Sequence, residues 1–212
     1  MYFADEPDHF ETLRDSIRRL VDAELPRDKA RQLDKAKTFD RDAFGRLAEL
    51  GVCGLTVSEE YGGNRDLVAA VMVIEELCRR GTSLGGPYIH CAFYGALNIE
   101  HNGSAQQKQT LLEPLLRGEL LFAYGLSEPD VGGDLANVTT RARLDGDSVV
   151  LNGAKRWCTG ARFADYILCL VRSDAQAPKY HNLSFVLVPP DAPGVSITPA
   201  PAPSCSRSLA LL

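Results

Sequence analysis

Two stretches of the chain gather aromatic, hydroxyl and glycine residues in patterns that suit ligand chemistry. The first is Tyr124-Gly-Leu-Ser-Glu-Pro-Asp-Val-Gly-Gly-Asp134, a strand running into a turn. Successive glycines let backbone N–H groups approach an anion without side-chain obstruction, as in a nest. The second, Leu151-Asn-Gly-Ala-Lys-Arg-Trp-Cys-Thr-Gly160, sets the single tryptophan of the chain two residues before Thr159. Taken alone, a Gly-Gly turn is more often a plain loop than a phosphate site. A lone tryptophan is likewise more often core than a platform for a ring. The remaining chemistry is sparse. No GxSxG elbow or Ser-x-x-Lys stands in the sequence, nor a GxGxxG after a strand or a P-loop. His9, His90, His101 and His181 are scattered and read as surface or packed residues. Glu59-Glu60 and Glu75-Glu76 are adjacent pairs whose side chains diverge, so each reads as a solvated face rather than an acid/base pair.

The elements that must position these stretches divide the chain in two. Over residues 1–120 the apolar spacing is helical. Phe10, Leu13, Ile17, Leu20 and Val21 form one stripe that ends before Pro26. Asp40 caps a helix carrying Phe44, Leu47 and Ala48, with Gly51 as its stop. Asp66 opens another, with Leu67, Ala70, Val71, Ile74, Leu77 and Cys78, closed by Gly81. Pro87 suits the first turn of a fourth, and Ser104 with Gln107 makes a capping box for a fifth, over 106–116. Five helices with short connections predict a helical bundle. From Leu121 the runs are short and rich in β-branched and aromatic residues: 121–127, 137–144, 148–151, 166–172 and 183–188. Asp145-Gly146-Asp147 signals a hairpin. The class is therefore α+β: an all-α bundle over 1–120, an antiparallel, barrel-like but incomplete β domain over 121–198, and a disordered tail over 199–212.

Composition narrows the partners. The chain has 212 residues, 45% hydrophobic and 24% charged, which excludes a wholly disordered polymer. Its net charge of −5 supplies no basic surface for nucleic acid. No apolar run approaches the length of a membrane span, and the N-terminus lacks the layout of a secretory signal. A cytoplasmic location follows, with the sequons at Asn102, Asn137 and Asn182 read as chance. Of the six cysteines, Cys53, Cys78, Cys91 and Cys169 lie in apolar runs and read as small hydrophobes; no metal-ligand spacing is present.

In combination, the two stretches resemble the acyl-CoA dehydrogenase family, whose hallmark is Tyr-x-x-(Thr/Ser)-Glu-Pro-x-x-Gly-Ser-Asp followed by Asn-Gly-x-Lys-x-Trp-(Ile)-(Thr/Ser). The likeness extends to Leu47-Ala-Glu-Leu-Gly-Val-Cys-Gly-Leu-Thr-Val-Ser-Glu-Glu-Tyr-Gly-Gly63, to the segment from Gly103 to Glu119, and to Ser184-Phe-Val-Leu-Val-Pro189, so that it covers residues 7–198. The resemblance implies an FAD-dependent flavoprotein of fatty acid metabolism that desaturates acyl-CoA thioesters between the α and β carbons. It implies an electron-transferring flavoprotein as acceptor and a homo- or hetero-oligomeric state. By the same resemblance Tyr124, Leu126 and Ser127 line the flavin ring, with Ser127 on its pyrimidine side. Trp157 flanks the isoalloxazine, Thr159 approaches N5, and Gly132 and Gly133 fall near the pyrophosphate. Asp134 braces the turn.

Three departures qualify the likeness. Gly133 replaces the family serine, which removes a side-chain contact worth about 1.5–3 kcal/mol. Cys158 replaces isoleucine. The sequence ends at Leu212, inside the β domain, whereas the family's catalytic glutamate lies in a C-terminal helical domain. No catalytic base is therefore assigned. The expectation is a truncated or frameshifted form, with unrelated residues after about Thr198, inactive by itself. The alternatives are a non-catalytic flavin- or CoA-binding subunit of a hetero-oligomeric dehydrogenase, and an interaction scaffold.

Overall fold

The first apolar stripe forms α1, Asp8–Glu24, and buries Phe10, Ile17 and Val21. The computed structural model describes residues 7–79 and 83–198. Gly81 and the tail from 199, for which a helix stop and disorder were expected, lie outside the described residues. The chain divides into two units, Met1–Leu120 and Leu121–Leu212.

In the first unit α1 is followed by α2 (Arg27–Ala36), α3 (Arg41–Ala48), α4 (Leu67–Arg79), α5 (Gly85–Tyr88), α6 (Asn98–Asn102) and α7 (Ala105–Leu116). A wider π-helical coil, Ile89–Leu97, joins α5 to α6 without a break. The caps act as the side chains dictate. Asp40 and Asp66 accept the N–H groups of Ala43 and Ala69, each at 2.9 Å, and Ser104 and Gln107 close a reciprocal box. Helix α2 escaped the periodicity because it buries no residue; its start follows Pro26, which fixes the entry rather than only ending α1. The core gathers Ile17, Phe44, Leu47, Leu77, Leu84, Tyr88 and Leu115.

One carboxylate departs from expectation. Glu75 is solvated, but Glu76 is 1% exposed and accepts from Arg18 Nε at 2.9 Å and Nη2 at 3.1 Å. This pair ties α1 to α4, and a buried carboxylate is tolerable only with such a bidentate partner. Cys78 also departs, being exposed on α4 while Cys53 and Cys91 are buried.

The second unit is a sheet of β1 (Phe122–Gly125), β2 (Arg141–Asp145), β3 (Ser148–Asn152), β4 (Tyr166–Arg172) and β5 (Leu183–Val188). It is mixed rather than antiparallel throughout. β2–β3 and β4–β5 are antiparallel hairpin pairs, but β1 lies parallel to β4, with Phe122 opposite Tyr166 and Gly125 opposite Cys169. β2 meets β4 in parallel at Arg141 and Arg172. The parallel pairing is locked where both strands begin: the Leu121 N–H donates to Asp165 Oδ2, and the Asp165 N–H to the Leu121 carbonyl, each at 2.8 Å. β4 is buried through five consecutive residues, as its unbroken apolar run demands of a central strand. The β2–β3 turn has Gly146 at φ +61° in its first central position, the arrangement of a type II′ turn. The sheet is not closed, and Leu144, Val149, Val150 and Phe185 are exposed on it.

Candidate functional site

The site elements converge on one buried ion pair. Glu128 is 5% exposed and Lys155 1%, with Nζ 2.9 Å from Oε1. Each oxygen of the carboxylate also accepts the backbone N–H and the hydroxyl of one threonine: Thr139 on Oε2 at 2.7 and 2.6 Å, and Thr140 on Oε1 at 2.8 and 2.6 Å. Burial pushes the carboxyl up, but these donors outweigh it and hold Glu128 down at about 2. Five donors leave the carboxylate ionised and saturated, so it has no basicity to offer a substrate proton.

Lys155 spends a second donor on the Leu126 carbonyl at 3.0 Å, and the Arg156 N–H donates to the Ser127 carbonyl at 2.7 Å. Two consecutive residues of the 153–160 segment are thereby bonded to two consecutive carbonyls at the end of β1. Gly153 enters this arrangement at φ +155°, where a Cβ would stand 2.5 Å from Thr140 Oγ1, so no side chain fits. Cys158, Ala161 and Ala164 then tuck into the core beneath the sheet with Ala123 and Cys169.

Between the buried Lys155 and Cys158, Trp157 is turned out. Its backbone is left-handed, φ +63°, and the residue is 55% exposed. An aromatic residue in this region costs about 1–3 kcal/mol and persists only where neighbours over-determine it. The Arg156 guanidinium stacks over the indole at 5.1 Å, and the Thr159 N–H donates to the Trp157 carbonyl at 2.9 Å. Tyr124, half-buried on β1, stacks on Phe185 of β5 with centroids 6.2 Å apart. Ser127 is half-buried and Thr159 exposed, and neither hydroxyl has a hydrogen-bond partner among the described residues.

The structure thus brings Leu126, Ser127, Trp157 and Thr159 to one place, with Tyr124 leading into it. The glycine pair behaves differently. Neither Gly132 nor Gly133 has positive φ, and a Cβ on either would meet nothing within 4 Å. The alternating backbone of an anion nest is therefore absent, and nothing in the chain itself demands glycine there. The turn is held instead by Asp134, which accepts from the Ala136 N–H at 3.2 Å and pairs with Lys179 at 2.6 Å. Sequence reasoning missed Lys155, Thr139 and Thr140. Their partner Glu128 is remote in sequence, and the only available signal was the lysine within Asn-Gly-x-Lys.

The chain is similar to known proteins along nearly all of its length. Residues 7–119 match the family model "Acyl-CoA dehydrogenase, N-terminal domain", and residues 123–211 match "Acyl-CoA dehydrogenase, middle domain"; the second match runs past Thr198. "Probable acyl-CoA dehydrogenase YngJ" of Bacillus subtilis is 34% identical over 170 residues, 80% of this chain and 45% of that protein. A glutaryl-coenzyme A dehydrogenase solved with glutaryl-CoA superimposes with a TM-score of 0.89 at 27% identity, over 100% of this chain and 55% of the other. A structure titled as the electron transferring flavoprotein of Acidaminococcus fermentans gives 0.88 at 26%, over 100% and 56%. The chain spans about half the length of the curated relatives it matches. With the two domain models matching in order along nearly all of its length, the chain belongs to the acyl-CoA dehydrogenase family.

Proposed function

We propose that this chain provides the helical domain and the cofactor-facing part of the β domain of an FAD-dependent acyl-CoA dehydrogenase. The observation that carries the reading is the strained, outward Trp157 beside the unpartnered hydroxyls of Ser127 and Thr159. A flavin ring is flat and apolar on its faces and polar along its edges. An exposed indole and two free hydroxyls on a rigid base match that chemistry. The open space around Gly132 and Gly133 leaves room for a phosphate without building a cradle for one.

FAD, when bound, supplies the acceptor for the hydride leaving the β-carbon of an acyl-CoA thioester. The chain's own residues bind and orient. Trp157 would cover the flat face of the ring, Ser127 would hydrogen-bond its polar edge, and Thr159 would offer a second hydroxyl to it. Tyr124 and Leu126 would shape the adjoining wall, and Gly132 and Gly133 would leave room for the pyrophosphate. Removal of the α-proton is not assigned to Glu128, whose lone pairs are committed to Thr139, Thr140 and Lys155. On this reading the isolated chain desaturates no acyl-CoA. The electron-transferring flavoprotein as acceptor and an oligomeric holoenzyme belong to the same proposal.

The test is titration of the folded chain with FAD, followed by fluorescence of its single tryptophan and by the visible absorption kept after desalting. Saturable quenching with retained flavin absorption is the expected outcome. A folded chain whose Trp157 emission ignores FAD withdraws these residues from a flavin site.

A further inference from the structure

We propose that Lys155, with Glu128 as its counter-charge, is a positioning residue that holds Trp157 in its left-handed, outward conformation and sets Ser127 beside it. The inference rests on the flavin reading for its purpose, but its geometry stands independently. Trp157 is 55% exposed, so its own packing cannot account for an unfavourable backbone. The constraint comes from either side. Upstream, Lys155 is anchored to Leu126 and Glu128, and Arg156 to Ser127; downstream, Cys158 is fully buried. The anchor is itself immobilised, since Thr140 both donates to Glu128 and abuts Gly153 two residues before Lys155.

A buried ion pair that only stabilised the fold would need no strained aromatic at its border. An apolar pair would serve the core as well, because desolvation cancels much of the attraction between buried charges. What the charged pair adds is direction. The ammonium fixes the Leu126 carbonyl and the carboxylate at once, at 3.0 and 2.9 Å, and so fixes the register of 155–157 against 126–128. An apolar side chain of equal volume cannot do that.

The test uses the full 212-residue chain and its single tryptophan as a local reporter. Lys155→Met and Glu128→Gln are compared with Val171→Ala, which removes buried volume from the same sheet without touching the pair. Positioning predicts that both pair variants, while folded by circular dichroism, lower Trp157 anisotropy and change its iodide quenching at least twofold. Val171→Ala is expected to lower the melting temperature and leave both signals as in the wild type. Wild-type anisotropy and quenching in a folded Glu128→Gln chain overturn the proposal even if Lys155→Met does not fold. Hydrogen exchange on the unmodified chain adds a measurement that needs no variant. An Arg156 amide exchanging as fast as that of exposed Gly132 would equally overturn it.

FAD titration separates the two readings. At least tenfold weaker quenching in Lys155→Met than in the wild type is the result expected. Equal quenching of both refutes positioning and leaves the flavin reading intact. A loosened Trp157 that FAD quenches in neither chain supports positioning and removes the flavin reading.

Discussion

His90 gives the helical unit a pH dependence that can be calculated in advance. It lies in the π-helical coil, 7% exposed, with its ring 5.1 Å from that of Tyr94. Burial disfavours the imidazolium and lowers His90 to about 4 from the ordinary 6.5. Between these values the unfolded chain binds the proton and the folded chain does not. Stability contributed by neutral His90 is therefore complete above 6.5, declines as pH falls towards 4, and changes no further below. Linkage gives a loss of about 2 kcal/mol between pH 7 and pH 5. With a urea slope of roughly 1–3 kcal/mol per molar, the midpoint falls by about 1 M. The assay is urea unfolding followed by far-ultraviolet circular dichroism, which reports mainly the helices, at half-unit steps from pH 7 to 5. Phenylalanine keeps the ring volume and cannot be protonated, so His90→Phe is expected to flatten the profile by the same amount. An unchanged slope in His90→Phe, or a flat wild-type profile over this range, would refute the reasoning.

Three further outcomes follow from the β unit. Glu128→Ala and Lys155→Ala are each expected to cost about 3–5 kcal/mol, because each leaves the other charge buried alone. The double variant should cost less than their sum by about 1–3 kcal/mol; strict additivity in urea unfolding would deny the coupling. Because Glu128 is held near 2 against an ordinary 4.5, the pair's contribution is full above 4.5 and is lost as pH falls towards 2. Trp157→Gly relieves an aromatic at φ +63° while adding freedom to the unfolded chain, so its stability should stay within about 1 kcal/mol of the wild type. Its retention of flavin after desalting should fall. A loss above about 2 kcal/mol in thermal melts would mean that the indole packs as core.

Most of the local structure was legible. Asp40, Asp66 and the Ser104–Gln107 box announced their helices because a cap is a contact between near neighbours in sequence. The short apolar run of 166–172 announced a strand for a similarly local reason, though not its central place in the sheet. The misses share the opposite property. Helix α2 has no buried stripe to read, and Glu76 looks solvated until Arg18 arrives from 58 residues away. The parallel pairing of β1 with β4 left no trace, since alternation tells a strand which face is inward and never which neighbour it has.

The same division runs through the candidate site. Residue types and spacing singled out the stretches 124–134 and 151–160, and the family resemblance picked Tyr124, Ser127, Trp157 and Thr159 within them, because the motifs that carry them are continuous in the chain. Residue types and spacing also set the boundary between helical and strand-forming regions, through a change from helically spaced apolar residues to short β-branched and aromatic-rich runs. Only the tertiary structure decided that Trp157 stands outward on a left-handed backbone, and that Gly132 and Gly133 form no nest. It alone revealed that Glu128 and Lys155, 27 residues apart, close into the node beneath them. A buried charge is bearable only where several donors and a counter-ion meet around it. That meeting is made by folding, which is why no spacing along the chain could foretell it.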